Sequence, residues 1–180
     1  MPLAMIDIRR IHPSDAALYK QECALRERVL LSAVGYTIDK YRADYPYDDT
    51  AEHWVAVTEH PQNGATVLGC ALLQAGHPDA GSGKVMQVAV NRQRQGEGIG
   101  RKLMIAVESR AFGELGLNRL FCHAQMTAVP FYERLGWRPA GEVFSEAGID
   151  HLRMELNGSS LAPYEDDAAV PPHDAQPHGV

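Results

Sequence analysis

The sequence predicts a mixed α/β fold, a central and mostly antiparallel sheet flanked by helices, and two observations carry that prediction. Three β-type runs, at 53–58, 66–74 and 84–90, follow one another with only short turns at 61–64 and 76–83, the pattern of an antiparallel meander. Residues 98–115 then switch to helical spacing, with Ile99, Leu103, Ala106, Val107, Ala111 and Leu115 on one stripe and Gly113 and Gly116 near its stop.

The remaining elements extend this order on both sides. Met5 to Arg10 suits a first strand, after which Pro13, Ser14 and Asp15 start a helix running to about Leu31, with Ala17, Leu18, Leu25, Val29 and Leu30 on its apolar face. Residues 35–49, rich in Tyr, Asp and Pro, read as a broken helix or loop in which substrate contacts are expected. Its acids between Asp39 and Glu52 would attract a cation. Downstream, 120–123 reads as a strand, 129–135 as a short helix, and 137–144 with 151–156 as a closing strand pair. Strands and helices alternating in this way build one layered domain over 1–156.

Residues 157–180 differ in composition. They hold four prolines and four acids but no Lys or Arg, which predicts an acidic tail outside the fold. Of the formal net charge of −6, that tail carries most, so the domain itself is nearly neutral and lacks the broadly basic face of a nucleic-acid binder. Cys23, Cys70 and Cys122 are odd in number and scattered, which fits neither a disulfide framework nor a zinc site. No run of apolar residues is long enough to cross a membrane, and the N-terminal apolar run is too short for a secretion signal, so a cytoplasmic location is expected. His173 and His178 have no third ligand nearby, and no metal is expected.

The most informative segment runs from the strand Val88-Ala89-Val90 through Arg94-Gln95-Gly96-Glu97-Gly98-Ile99-Gly100-Arg101 directly into the amphipathic helix. Alternating glycines remove Cβ atoms where backbone must approach a partner closely. The first turn offers no Ser, Thr or Asn cap, although Gln95 could contribute. Its free N–H groups and the positive end of the helix dipole form an anion site, strengthened by Arg92, Arg94, Arg101 and Lys102. A nucleotide P-loop is excluded because Leu103, not Ser or Thr, follows Lys102. A dinucleotide fingerprint is excluded because the glycines fall at 96, 98 and 100. The same spacing would also serve a tight strand-to-helix turn that binds nothing.

A second segment removes that ambiguity. Gln95, Gly98 and Gly100 match the Gln/Arg-x-x-Gly-x-Gly/Ala signature of the GNAT acetyltransferase superfamily, and Phe131-Tyr132-Glu133-Arg134-Leu135-Gly136-Trp137 resembles its Phe-Tyr-x-x-x-Gly-Phe segment with Trp in the last place. The resemblance spans roughly 5–156, and Glu146-x-Gly148-Ile149-x-His151 is similar to a branch of small bacterial GNAT proteins.

The resemblance implies an acyl-CoA N-acyltransferase fold whose sheet splays between strands 4 and 5. It implies acetyl-CoA as co-substrate, its pantetheine arm on the backbone of Val88 and Val90 and its pyrophosphate on the N–H groups of Gln95, Gly96, Gly98, Ile99, Gly100 and Arg101, with Arg94 and Phe131 alongside. It implies Tyr132 as the acid that protonates the departing thiolate, and an amine acceptor, small molecule or peptide, attacking directly in a ternary complex. His123 would face the cofactor gap, with a pKa range suited to taking the amine's proton. Glu146 and His151 could act as base or brace the last hairpin, and Gln87 and Glu97 are weaker candidates. Because no base stands out, a non-catalytic acyl-CoA-binding regulatory module is the alternative. Many family members dimerise, and a homodimer stays open for this chain.

Overall fold

The computed structural model describes residues 5–160; the expected tail lies outside the described residues beyond that point. Strand β1 (Ile6–Ile11) pairs antiparallel with β2 (Glu52–His60), which pairs with β3 (Gly64–Ala75) and then β4 (Ser82–Val90), completing the predicted meander. β5 (Arg119–Gln125) joins β4 in parallel, and β8 (Ile149–Asn157) joins β5 antiparallel. The sheet order is β1-β2-β3-β4-β5-β8-β6, where β6 (Arg138–Pro139) pairs with β8 and β7 (Phe144–Glu146) also lies on β8.

Alternation along each strand sends side chains to two opposite layers. One layer holds helix α1 (Ala16–Arg26), whose Leu25 packs on Val55, Val57, Val67, Cys70 and Ala89. The other holds α3 (Ile99–Glu108), whose Ile99 and Leu103 pack on Ala56 and Leu68 while Met104 and Val107 meet Ala71, Leu73 and Val85. Fully burying side chains of this kind contributes about 1.5–3 kcal/mol each.

Local signals set the element ends. α1 passes into a π-helical turn at 27–31 and a short 3₁₀ turn that Gly35 stops at φ 75°. In the loop that follows, α2 (Ile38–Asp44) starts where the Thr37 hydroxyl accepts from Lys40 N–H at 3.2 Å. α4 (Val129–Arg134) carries Pro130 in its first turn, where no backbone N–H is needed. Trp137 beyond α4 is fully buried, and its indole N–H donates to Glu108 at 2.8 Å, tying α4 to α3.

The closing strand pair departs from expectation. Residues 137–144 are not one strand but two fragments, β6 (Arg138–Pro139) and β7 (Phe144–Glu146), both paired with β8. Pro139 offers no ladder donor and Gly141 sits at φ 95°, so the chain leaves the sheet between them.

Candidate active site

The ladder between β4 and β5 covers only Ser82 to Lys84 against Arg119 to Phe121. Beyond Lys84 the two strands diverge, as the resemblance implied, and a cleft of about 310 Å³ opens between them. Within β4 the register against β3 slips between Cys70 and Leu72, a bulge at which Gln87 takes φ 51°. The bulge puts Val85 and Val88 on the same α3 side of the sheet although they are three residues apart.

At the end of β4 the glycine turn divides its labour. Gly96 and Gly98 lie at φ 83° and 78°, and a Cβ at either would meet only open space, so glycine is there for conformation and access. Gly100 has ordinary helical backbone, but a Cβ there would stand 3.2 Å from the Phe131 ring, so glycine is there for close packing. Gly98 caps α3 without a side-chain acceptor, which leaves the first-turn amides, including Arg101's on the exposed side, free for an anion. Gln95 spends its amide on the Val90 carbonyl at 3.2 Å, pinning the turn to the strand end. Arg94 is paired with Glu97 at 2.7 and 2.8 Å, an exposed pair whose small worth lets the guanidinium turn to a stronger anion. Ile99 buries its side chain in the core, so only its backbone can serve a ligand. Gly98→Ala, which forces a Cβ into the left-handed region, is expected to destabilise the domain by about 1–2 kcal/mol in urea titration; an unchanged midpoint would contradict this account of the turn.

The divergence of β4 and β5 opens a passage right through the sheet. On β5, Leu120, Cys122 and Ala124 face the α3 layer, so Phe121, His123 and Gln125 face the other. Cys122 and His123 nevertheless both line the cleft. Tyr132 reaches it from the α3 side, only 6% exposed and packed against Phe131 and Trp137. Burial first, and the neighbouring Cys122 thiol second, push this phenol well above its ordinary range, so it holds its proton. Burial pushes the Cys122 thiol up to about 12, which removes it as a nucleophile at neutral pH.

His123 occupies the opposite side of the passage, with Phe144 edge-on at 4.9 Å. Glu146 stands between two imidazoles, its Oε2 3.6 Å from His123 Nδ1 and 4.0 Å from His151 Nε2, while His151 Nδ1 donates to the Ile149 carbonyl at 2.8 Å. Burial lowers the pKa of His123, the Lys84 and Arg153 charges lower it further, and Glu146 only partly offsets them. The ring is therefore neutral at pH 7 and able to accept a proton. Of the groups weighed as a base, the fold brings His123, Glu146 and His151 together; Glu97 lies in the glycine turn, outside the residues that line the cleft.

Residues 38–157 match the acetyltransferase (GNAT) domain. The chain belongs to the GNAT acetyltransferase family. Over 75 residues it is 37% identical to the uncharacterized N-acetyltransferase YjcF of Bacillus subtilis, a stretch covering 41% of this chain and 53% of that protein, so the match spans about half the length of the relative. Among solved structures, an acyl-CoA N-acyltransferase from Pseudomonas aeruginosa superposes with a TM-score of 0.66 at 21% identity, covering 84% of this chain and 99% of the other. Escherichia coli ElaA superposes at 0.68 with 20% identity over the same shares.

Within this GNAT domain the segment between α1 and β2 supplies the cleft with Tyr36, Tyr41, Tyr45 and Tyr47. The expectation that its acids would meet a cation is not met. Asp48 is buried against Arg26, Glu52 is taken by Arg110 and Arg10, Asp44 faces Lys40, and none of them lines the cleft. The tyrosines, which composition alone could not rank, line it instead.

A buried ionic network that no motif signalled supports this GNAT cleft from below. Arg26, wholly buried, donates to both oxygens of Asp48 at 2.8 and 2.9 Å and through Nε to Gln87 Oε1 at 3.2 Å, so it holds the β4 bulge in place. Gln87, weighed as a weak base candidate, is thus occupied as a structural acceptor. The Arg26 guanidinium carbon also lies 5.6 Å from the Tyr41 ring centre. Nearby, both nitrogens of buried His53 contact acceptors, Nδ1 the Glu22 carboxylate and Nε2 the Asp48 carbonyl, each at 2.9 Å. With Glu22 ionised, both nitrogens can donate only in the imidazolium form, which this pocket favours. Burial opposes that charge, but Glu22 and Asp48 outweigh it and raise the His53 pKa.

Proposed function

We propose that the chain is an N-acetyltransferase that moves the acetyl group of acetyl-CoA to a primary amine, with donor and acceptor bound together. The observation that carries this reading is the through-sheet passage with Tyr132 on one side and His123 on the other. Coenzyme A suits the residues present: the left-handed glycines leave open space, the first-turn amides of α3 are uncapped, and β4 has no strand partner past Lys84 on the side of β5 among the described residues. Gly96, Gly98, Gly100 and Arg101 would hold its pyrophosphate, with Arg94 and Gln95 beside them, and the backbone at Val88 and Val90 its pantetheine arm, Phe131 forming part of the wall. Bound there, the coenzyme supplies an activated thioester acyl group.

The chain's own groups divide the proton traffic. An aliphatic amine is almost wholly protonated at pH 7 and cannot attack until a base takes one proton. His123, neutral and on the acceptor side, takes it, and Glu146 steadies the imidazolium that results. As the new N–C bond forms and the C–S bond breaks, the Tyr132 phenol, protonated on the coenzyme side, donates its proton to the sulfur, and the second proton that the nitrogen sheds in becoming an amide passes to solvent, from which the phenolate is reprotonated. Both groups act from opposite sides of one carbonyl, the geometry that direct transfer requires. The non-catalytic alternative rests on the lack of an evident base, and the contact of His123 with Glu146 favours the catalytic reading over it.

Release of free thiol from acetyl-CoA across an amine panel tests the proposal. No turnover of any amine, or no acetyl-CoA binding by calorimetry at high micromolar concentration, would reject it. The kcat–pH profile is expected to rise to a plateau with its acid-side midpoint below the ordinary imidazole value of 6.5, because burial depresses His123. His123→Ala should abolish that limb, and a midpoint above 6.5 would point to a different base.

A further inference from the structure

We propose that the acceptor is a primary amine with one cationic nitrogen on an aromatic or similarly apolar body. This rests on the acetyltransferase reading above, and the walls of the acceptor side carry it. The reacting nitrogen must lie beside His123 at the passage, where Glu146, the one carboxylate lining the cleft among the described residues, stands. The rest of the molecule must then extend toward the facing wall, formed by Leu30, Leu31, Tyr36, Tyr41, Tyr45 and Tyr47. That wall is made of aliphatic side chains and phenols, and burial pushes the Tyr41 phenol up to about 12.

Charge complementarity separates this class from its rivals. A polyamine needs a carboxylate for each extra ammonium, yet Asp44, Asp48 and Glu52 are turned to cations of the fold and lie outside the cleft. Lys84, which does line it, repels a second positive charge. Tyrosine faces instead pack an apolar ring, and the Tyr41 and Tyr45 rings already contact each other in a tilted pairing with centroids 5.2 Å apart.

Initial rates of thiol release by the full chain with acetyl-CoA, using 2-phenylethylamine, ethylamine, spermidine and a lysine-containing peptide, test the assignment. The arylalkylamine is expected to show kcat/KM at least about tenfold above each of the others. Tyr45→Ala, a change at a residue 41% exposed, should cut that advantage over ethylamine about 3- to 10-fold. Faster turnover of spermidine or the peptide would overturn the substrate class while leaving acetyl transfer to amines intact. Turnover of no amine at all, with acetyl-CoA bound, would overturn both. Equal rates for arylalkylamine and ethylamine would show that the tyrosine wall does not read the acceptor.

Discussion

Arg26→Met is expected to destabilise the domain by about 3–5 kcal/mol, because it removes one partner of a fully desolvated ion pair and leaves Asp48 buried without its bidentate donor. Methionine preserves much of the side-chain volume, so the loss reports charge and hydrogen bonding more than a cavity. Urea titration is the measurement, with the slope checked for constancy. Pairing the change with Asp48→Leu should recover most of the loss, since an apolar pair in the same space avoids the stranded carboxylate. The window for the test follows from the neighbouring groups. Burial opposes ionisation of Asp48, but Arg26 lowers its pKa below 3.8 overall, so its contribution is present above 3.8 and lost as pH falls through the lower native value. His53 is raised, so its contribution is complete below 6.5 and is lost as pH rises through the native value. The full penalty is read between pH 3.8 and 6.5. A loss under about 1 kcal/mol would mean the network does not hold the bulge.

Tyr132→Phe is expected to lower kcat about 10²-fold or more while leaving the fold intact, the usual contribution of a positioned acid. The ring's packing against Phe131 and Trp137 survives the substitution, so stability should move little. On the proposed role of the phenol as acid to the departing sulfur, the defect should be largest for the coenzyme thiol and shrink when the donor is a thioester of a more acidic thiol. A stability loss with unchanged kcat would make Tyr132 a core residue whose hydroxyl takes no part.

Much of this site was legible because its chemistry restricts residue type. Only glycine accepts φ 78° at 98 without strain, and only glycine lets the Phe131 ring approach 100. The Phe131-Tyr132 pair then marks the helix that lies against that turn. The meander was legible through its period-two patterning and short turns. Other features were hidden for physical reasons. Glu22 and Arg26 sit at the centre of the buried face of α1, where patterning by hydrophobicity assigns charges to solvent. Their partners lie at 48, 53 and 87, joined only by tertiary packing. The bulge at Gln87 interrupts what reads as a regular strand, because nothing in its residue type announces a positive φ. Expecting one strand over 137–144 underweighted Pro139 and Gly141, and expecting acids to face the acceptor overlooked the arginines and lysine that reach them.

The fragmentation of β6 and β7 bears on how copies of the chain can associate. A neighbouring chain extends a sheet by docking along a continuous row of free amides and carbonyls. At this margin the row runs for two residues, leaves the sheet through Gly141 and resumes for three. At the other margin β1 presents Asp7, Arg9 and Arg10 among its isoleucines. Among the described residues, growth into ribbons is thus opposed by discontinuity on one flank and by charged side chains on the other.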